Sequence, residues 1–187
     1  METNDNIDRE KYFTLFSQFQ KELENKPLKS LNSDILIVDF LNAFIRSFNA
    51  SPAMNNNGEH IGGITGALYS IGEAIRRTGA TRCIIVSDGE NGSARRRKLY
   101  PEYKLRSRMK YNLNRAYNFK SQEEEDRAKK LQLARLVDYL KCLPVQFVNV
   151  TGVEADDAIA YIVNDILNKP DMKITIMSSD KDYLQLV

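Results

Sequence analysis

The 187-residue sequence has one histidine, His60, which excludes a metal site built from several imidazoles. It has two cysteines, Cys83 and Cys142, both in apolar runs. They read as buried free thiols of a reducing cytoplasm rather than as a disulfide framework. No apolar stretch approaches the ~20 residues of a membrane span, and the N-terminus lacks a signal-peptide pattern. Internal repeats and low-complexity tracts are also missing. A soluble, cytoplasmic protein without a membrane partner is therefore expected. The net charge of +2 is nearly neutral and by itself favours no class of partner. With 42% hydrophobic and 28% charged residues, the composition is that of an ordinary globular domain, and the length suits one domain with an appendage.

The distribution of charge says more than its sum. Between Arg95 and Lys120 lie Arg95, Arg96, Arg97, Lys98, Lys104, Arg106, Arg108, Lys110, Arg115 and Lys120, with Glu102 as the only acid. Tyr100, Tyr103, Tyr111 and Tyr117 interleave with them, the combination by which single strands are gripped through stacking and phosphate contact. The carboxylates gather elsewhere, at the ends of strand-like runs and in Glu123-Glu124-Glu125-Asp126. A basic stripe beside an acidic crevice suits a polyanion handled by a metal.

Four short apolar runs end in acids. Asp34-Ile35-Leu36-Ile37-Val38 leads to Asp39, and Cys83-Ile84-Ile85-Val86-Ser87 leads to Asp88. The run from Val145 to Val150 precedes Glu154, Asp156 and Asp157, and Ile174 to Ser179 precedes Asp180 and Asp182. Helical apolar spacing separates the runs: Ile64, Leu68, Ile71 and Ile75 up to a stop at Gly79, then Leu133, Leu136, Val137 and Leu140, then Ile159, Ile162, Val163 and Ile166 between Asp156 and Leu167. Strands alternating with helices predict an α/β fold, a mostly parallel sheet with flanking helices. In such sheets ligands bind at the carboxyl ends of the strands. Seven carboxylates converging there would repel one another severely without cations, which points to a divalent-metal site. Before the first strand, Phe13, Phe16, Phe19 and Leu23 predict a short helix within an appendage over residues 1–33.

The ordered set of motifs resembles the N-terminal, PIN-like nuclease domain of the 5′–3′ exonuclease and flap endonuclease family, its bacteriophage members especially. It comprises Val38-Asp39-Phe40-Leu41-Asn42, Ser87-Asp88-Gly89, Arg96-Arg97 with Tyr100-Pro101-Glu102-Tyr103-Lys104, Glu154-Ala155-Asp156-Asp157, and Ser179-Asp180-Lys181-Asp182-Tyr183-Leu184-Gln185-Leu186-Val187. The resemblance covers residues 34–187. It implies that Asp39, Asp88, Glu154, Asp156, Asp157, Asp180 and Asp182 hold two Mg²⁺ ions, for which Mn²⁺ can substitute. The chemistry agrees, because all-carboxylate sites select hard cations and paired ions serve phosphodiester hydrolysis.

The resemblance also implies that Lys104, with Arg96 or Arg97, neutralises charge developing at the scissile phosphate. Arg95, Lys98, Tyr103, Arg106, Arg108 and Lys110 would contact nucleic acid, within an arch-like insertion over about 95–126. The implied substrate is DNA with a 5′ flap or 5′ single-stranded end, or an RNA–DNA hybrid, in the host cytoplasm where the chain is phage-encoded. Where the family often has an Arg three residues after the lysine, this chain has Ser107 between Arg106 and Arg108. The family's helix–three-turn–helix part has no counterpart in these residues. A truncated gene product, a split gene whose second polypeptide supplies that part, or an incomplete sequence is expected. The alternative function is a non-catalytic nucleic-acid-binding module. A topoisomerase–primase-type metal domain accounts for neither Asp39 and Asp88 nor the basic insertion.

Overall fold

The computed structural model describes residues 33–103 and 114–186, together with Ser17 and Lys21. The expected N-terminal stripe of Phe13, Phe16, Phe19 and Leu23 lies outside the described residues. Four parallel strands form one sheet: β1 (Asp34–Asp39), β2 (Arg82–Ser87), β3 (Gln146–Asn149) and β4 (Lys173–Met177), in the order β3-β2-β1-β4. The unbroken apolar run of β1 is explained by burial on both faces. Leu36 and Val38 point into one core, while Ile35 and Ile37 point into the other.

Helices α1 (Phe40–Ala50), α2 (Gly62–Thr78) and α4 (Gln122–Lys141) cover the first face, through Phe44, Phe48, Ala67, Ile71, Leu136 and Leu140. On the second face lie α5 (Ala155–Tyr161), its continuation Ile162–Ile166 and a closing 3₁₀ turn (Lys181–Leu186), through Ala158, Ile159, Ile162 and Tyr183. The short α3 (Ala94–Leu99) has no buried residue. With β2 and β3 laid down on one side of β1 and β4 on the other, the direction of winding reverses beside β1. That reversal opens a crevice at the carboxyl ends of the strands.

Local chemistry explains most boundaries. Asp39 ends β1 and caps α1, its carboxylate accepting from the Asn42 amide, so Phe40 opens the helix instead of closing the strand. Gly79 ends α2 in the left-handed region (φ 68°), where glycine carries no Cβ penalty. Ser121 caps α4 by accepting from Glu124, and the acids at 123–125 suit the positive end of that helix.

Residues 122–126, expected within the arch-like insertion, lie at the start of α4, where Glu125 is fully buried and accepts a hydrogen bond from the Asn114 amide. Two expectations are corrected. The single helix expected over 156–167 widens into a π turn, in which the Leu167 amide donates to the Ile162 carbonyl and both side chains reach the same core. Cys83 is buried but Cys142 is exposed, because it caps the end of α4 at the surface with its thiol bonded to the Asp138 carbonyl. Among the described residues, no helix is long and apolar enough to cross a membrane.

Candidate functional site

The strand register sets the site. Asp39 pairs with Val86, Val38 with Met177 and Ser87 with Asn149, so the strands end level and their acidic turns rise from one edge. Asp39, Asp88, Asp156 and Asp180 line one cleft of about 310 Å³, with Asn42, Ala155 and Tyr183 among its walls.

Asp39 is the deepest of these carboxylates. One oxygen accepts from the Asn42 amide at 3.2 Å, and the other from Ser178 Oγ at 3.0 Å and the Tyr183 hydroxyl at 3.3 Å. Burial raises its pKa against the pull of those hydrogen bonds, and the neighbouring Asp88 charge adds to the rise. Burial and the Asp39 charge push the Tyr183 hydroxyl well above its ordinary range, so it stays a donor.

Asp88 is anchored from outside its own strand. Its Oδ1 accepts from the Ala155 amide at 2.8 Å, a first-turn donor of α5 that has no acceptor within the helix. The turn after β2 lies against the loop before α5: the Gly89 amide donates to the Val153 carbonyl and the Gly152 amide to the Glu90 carbonyl. Any Cβ at Gly89 would overlap the Val150 carbonyl, which explains the glycine in Ser87-Asp88-Gly89.

Glu154, Asp156 and Asp157 bring one carboxylate oxygen each within 4.8 Å of the others. Two like charges at that distance repel by roughly 3 kcal/mol at an effective dielectric of about 20. Arg96 of α3 relieves this repulsion. Its Nη1 contacts Glu154, which is buried, and lies 3.2 Å from Asp156, while its Nη2 lies 2.6 Å from Asp157. Nη1 also donates to the Tyr103 hydroxyl at 2.9 Å, and that hydroxyl donates to Glu154 at 2.9 Å. Burial works against the Arg96 charge, but Tyr103 and the two aspartates outweigh it and hold the guanidinium protonated.

The remaining predicted residues fall in three places. Asp180 is exposed at the cleft, its amide donating to Ser178 Oγ, and Asp182 is exposed beside it, its amide donating to Asp180. Arg95, Arg97 and Lys98 are exposed on α3, so of the arginine pair it is Arg96 that turns to the carboxylates. Lys104, Arg106, Arg108 and Lys110 lie outside the described residues.

Sequence reasoning assigned no role to Asn42, Ser178 or Tyr183. Asn42 Oδ1 accepts from both the amide and the hydroxyl of Ser179, clamping the β4 turn onto α1. Asn42 and Tyr183 stand within the motifs that carry the family resemblance, the signal that could have found them.

Comparison with known proteins bears on the fold and the family. Residues 34–187 match the model of the 5′-3′ exonuclease N-terminal resolvase-like domain. A 5′-3′ exonuclease of Buchnera aphidicola is 28% identical over 157 residues, covering 83% of this chain and 49% of that protein. One from Aquifex aeolicus is 28% identical over 154 residues, covering 82% and 47%. The chain thus spans about half the length of the curated relatives it matches. Among solved structures, the T5 5′-exonuclease with bound zinc superposes with a TM-score of 0.62 at 23% identity, over 82% of this chain and 52% of that one. A bacteriophage T5 flap endonuclease in a pseudo-enzyme–product complex with DNA and metal ions gives 0.60 at 23%, over 80% and 50%. These superpositions establish a shared fold, and the family-model match covers every strand and acidic turn described above. The chain belongs to the 5′-3′ exonuclease family, as its N-terminal resolvase-like domain.

Proposed function

We propose that this chain is the nuclease domain of a metal-dependent 5′ nuclease. It would hydrolyse phosphodiester bonds of DNA bearing a 5′ flap or 5′ single-stranded end, and of RNA–DNA hybrids. The observation that carries the reading is the cleft shared by Asp39, Asp88, Asp156 and Asp180, with Glu154 and Asp157 beside Asp156. Its donors are oxygens throughout, the chemistry of a hard divalent cation, so the site residues fit Mg²⁺ or Mn²⁺. Under this reading Asp39, Asp88, Glu154, Asp156, Asp157, Asp180 and Asp182 together hold two ions. Such ions, when bound, activate a water and stabilise the leaving oxygen of the phosphodiester.

The chain's own groups do the rest. Ser178, Tyr183 and the Asn42 amide fix both oxygens of Asp39, and the first turn of α5 fixes Asp88, so the carboxylates are oriented before substrate arrives. Lys104, Arg96 and Arg97 counter charge developing on the phosphate. Arg95, Lys98, Tyr103, Arg106, Arg108 and Lys110 grip the single strand from the basic segment.

The test is cleavage of a 5′-labelled flap substrate and of its RNA–DNA counterpart by the purified chain, in Mg²⁺, Mn²⁺ and EDTA. Metal-dependent release of the flap is expected. Binding of the flap without cleavage in either metal would make the chain a nucleic-acid-binding module instead.

A further inference from the structure

A guanidinium sits among Glu154, Asp156 and Asp157, where the proposed function requires a divalent cation, and both cannot hold the same oxygens. Nη1 faces Glu154 and Asp156 while Nη2 takes Asp157, so Arg96 engages every carboxylate of the cluster. An incoming ion would meet a positive charge at contact distance, a strong repulsion in a partly buried site.

Arg96 is nevertheless built to leave. It stands on a helix with no buried residue, and about a third of its side chain is exposed. Among the described residues its remaining anchor is Tyr103, through the hydroxyl and a ring centroid 5.6 Å from the guanidinium carbon. Both residues belong to the segment that runs into the basic stretch of the chain. We infer that Arg96 is a displaceable internal counter-ion: it holds the carboxylate cluster together without metal, and a divalent ion must expel it to bind. The freed guanidinium is then released toward the phosphate side of the site. Metal loading and the setting of the basic segment thereby become one equilibrium, and by linkage whatever engages the freed Arg96 raises metal affinity in return. The inference rests on the metal-site reading above, and its test separates the two.

The experiment has two arms. In the first, free Mn²⁺ is followed by electron paramagnetic resonance during titration of the wild type, R96Q, R96K and D156N. R96Q is expected to bind Mn²⁺ more tightly, by about 5- to 150-fold, the range usual for coupled sites. R96K is expected to lie between R96Q and the wild type, because it keeps the charge but loses the fork. A merely structural lesion would weaken binding, so tighter binding is diagnostic. In the second arm, the wild type is labelled with phenylglyoxal in EDTA and in saturating Mn²⁺, and the arginines are read by peptide mass spectrometry. Arg96 labelling is expected to rise severalfold with metal while Arg95 and Arg97 stay constant. This arm needs no variant and is indifferent to how R96Q folds. Saturable Mn²⁺ binding that D156N loses, with R96Q unchanged or weaker and Arg96 labelling unaffected by metal, overturns the inference and leaves the metal site standing. Absence of saturable binding in the wild type, with D156N no different, overturns both.

Discussion

The Asp88 carboxylate accepts a hydrogen bond from the Ala155 amide 2.8 Å away, so the residue that follows β2 also holds the first turn of α5. A proposed metal ligand is therefore a structural anchor as well, and substitution can separate the roles. D88N keeps an oxygen for the Ala155 amide and is expected to unfold in urea within about 0.5 kcal/mol of the wild type while losing cleavage. D88A loses the acceptor and is expected to cost about 1 kcal/mol in addition, as for a lost helix cap. Equal urea midpoints for the two variants would show that the anchor contributes nothing.

Asp39 makes the opposite trade. Burial raises its pKa, so the metal-free protein carries a carboxylate that is costly to ionise. Its folded pKa lies above the unfolded one, so its cost is absent below the unfolded value near 3.8 and is incurred as pH rises through the folded value. D39N keeps the shape and the acceptor for Asn42, and its amide NH₂ can donate to the Ser178 and Tyr183 hydroxyls in place of accepting from them. It is expected to melt at or above the wild-type temperature in EDTA at neutral pH. Adding Mg²⁺ should raise the wild-type melting temperature through binding to the native state and raise that of D39N less. Scanning calorimetry in EDTA and in Mg²⁺ reads both effects, and a D39N protein that melts lower in EDTA would refute the argument.

The sheet was the most legible part of the chain, because β1 and β2 are buried on both faces and leave unbroken apolar runs in the sequence. The acids that end those runs were legible for the same reason: a strand end followed by Asp is a local pattern. Long-range geometry was not. Asn42 clamps Ser179 from 137 positions away, and Tyr183 reaches Asp39 from 144 away, which no local pattern encodes. Choosing Arg96 over Arg97 requires knowing which side of α3 faces the cluster, since successive helical residues point about 100° apart. Cys142 follows Leu140 and Lys141 in an apolar helical pattern, yet falls past the last residue of α4 and so outside its buried stripe.

Two glycines provide a matched test of the packing. A methyl group at Gly89 meets the Val150 carbonyl, so G89A is expected to lose about 3 kcal/mol or more, or fail to fold. At Gly72, within α2, a methyl group meets nothing within 4 Å, and G72A is expected to gain about 0.5–1 kcal/mol from helix propensity. Chemical denaturation of the pair checks both signs.

The two thiols should differ sharply in reactivity. Burial pushes the Cys83 thiol up to about 11, whereas Cys142 is exposed at the end of α4. Under native conditions at pH 8, an aromatic disulfide reagent is expected to modify Cys142 within minutes and Cys83 only after denaturation. Rapid modification of both in the native protein would contradict the placement of Cys83 in the core.

The central claim is that the strand-end carboxylates hold the cations that cleave the phosphodiester. The most direct measurement is the single-turnover cleavage rate of a 5′-flap DNA by D156N beside the wild type at saturating Mg²⁺, with DNA affinity measured in parallel. Asp156 lines the cleft and also belongs to the three-carboxylate cluster, so among the described residues no other single change removes charge from both. The account predicts a rate lower by roughly a hundredfold or more, with DNA binding intact or slightly tighter because a charge repelling phosphate is gone. A D156N rate equal to that of the wild type would contradict it.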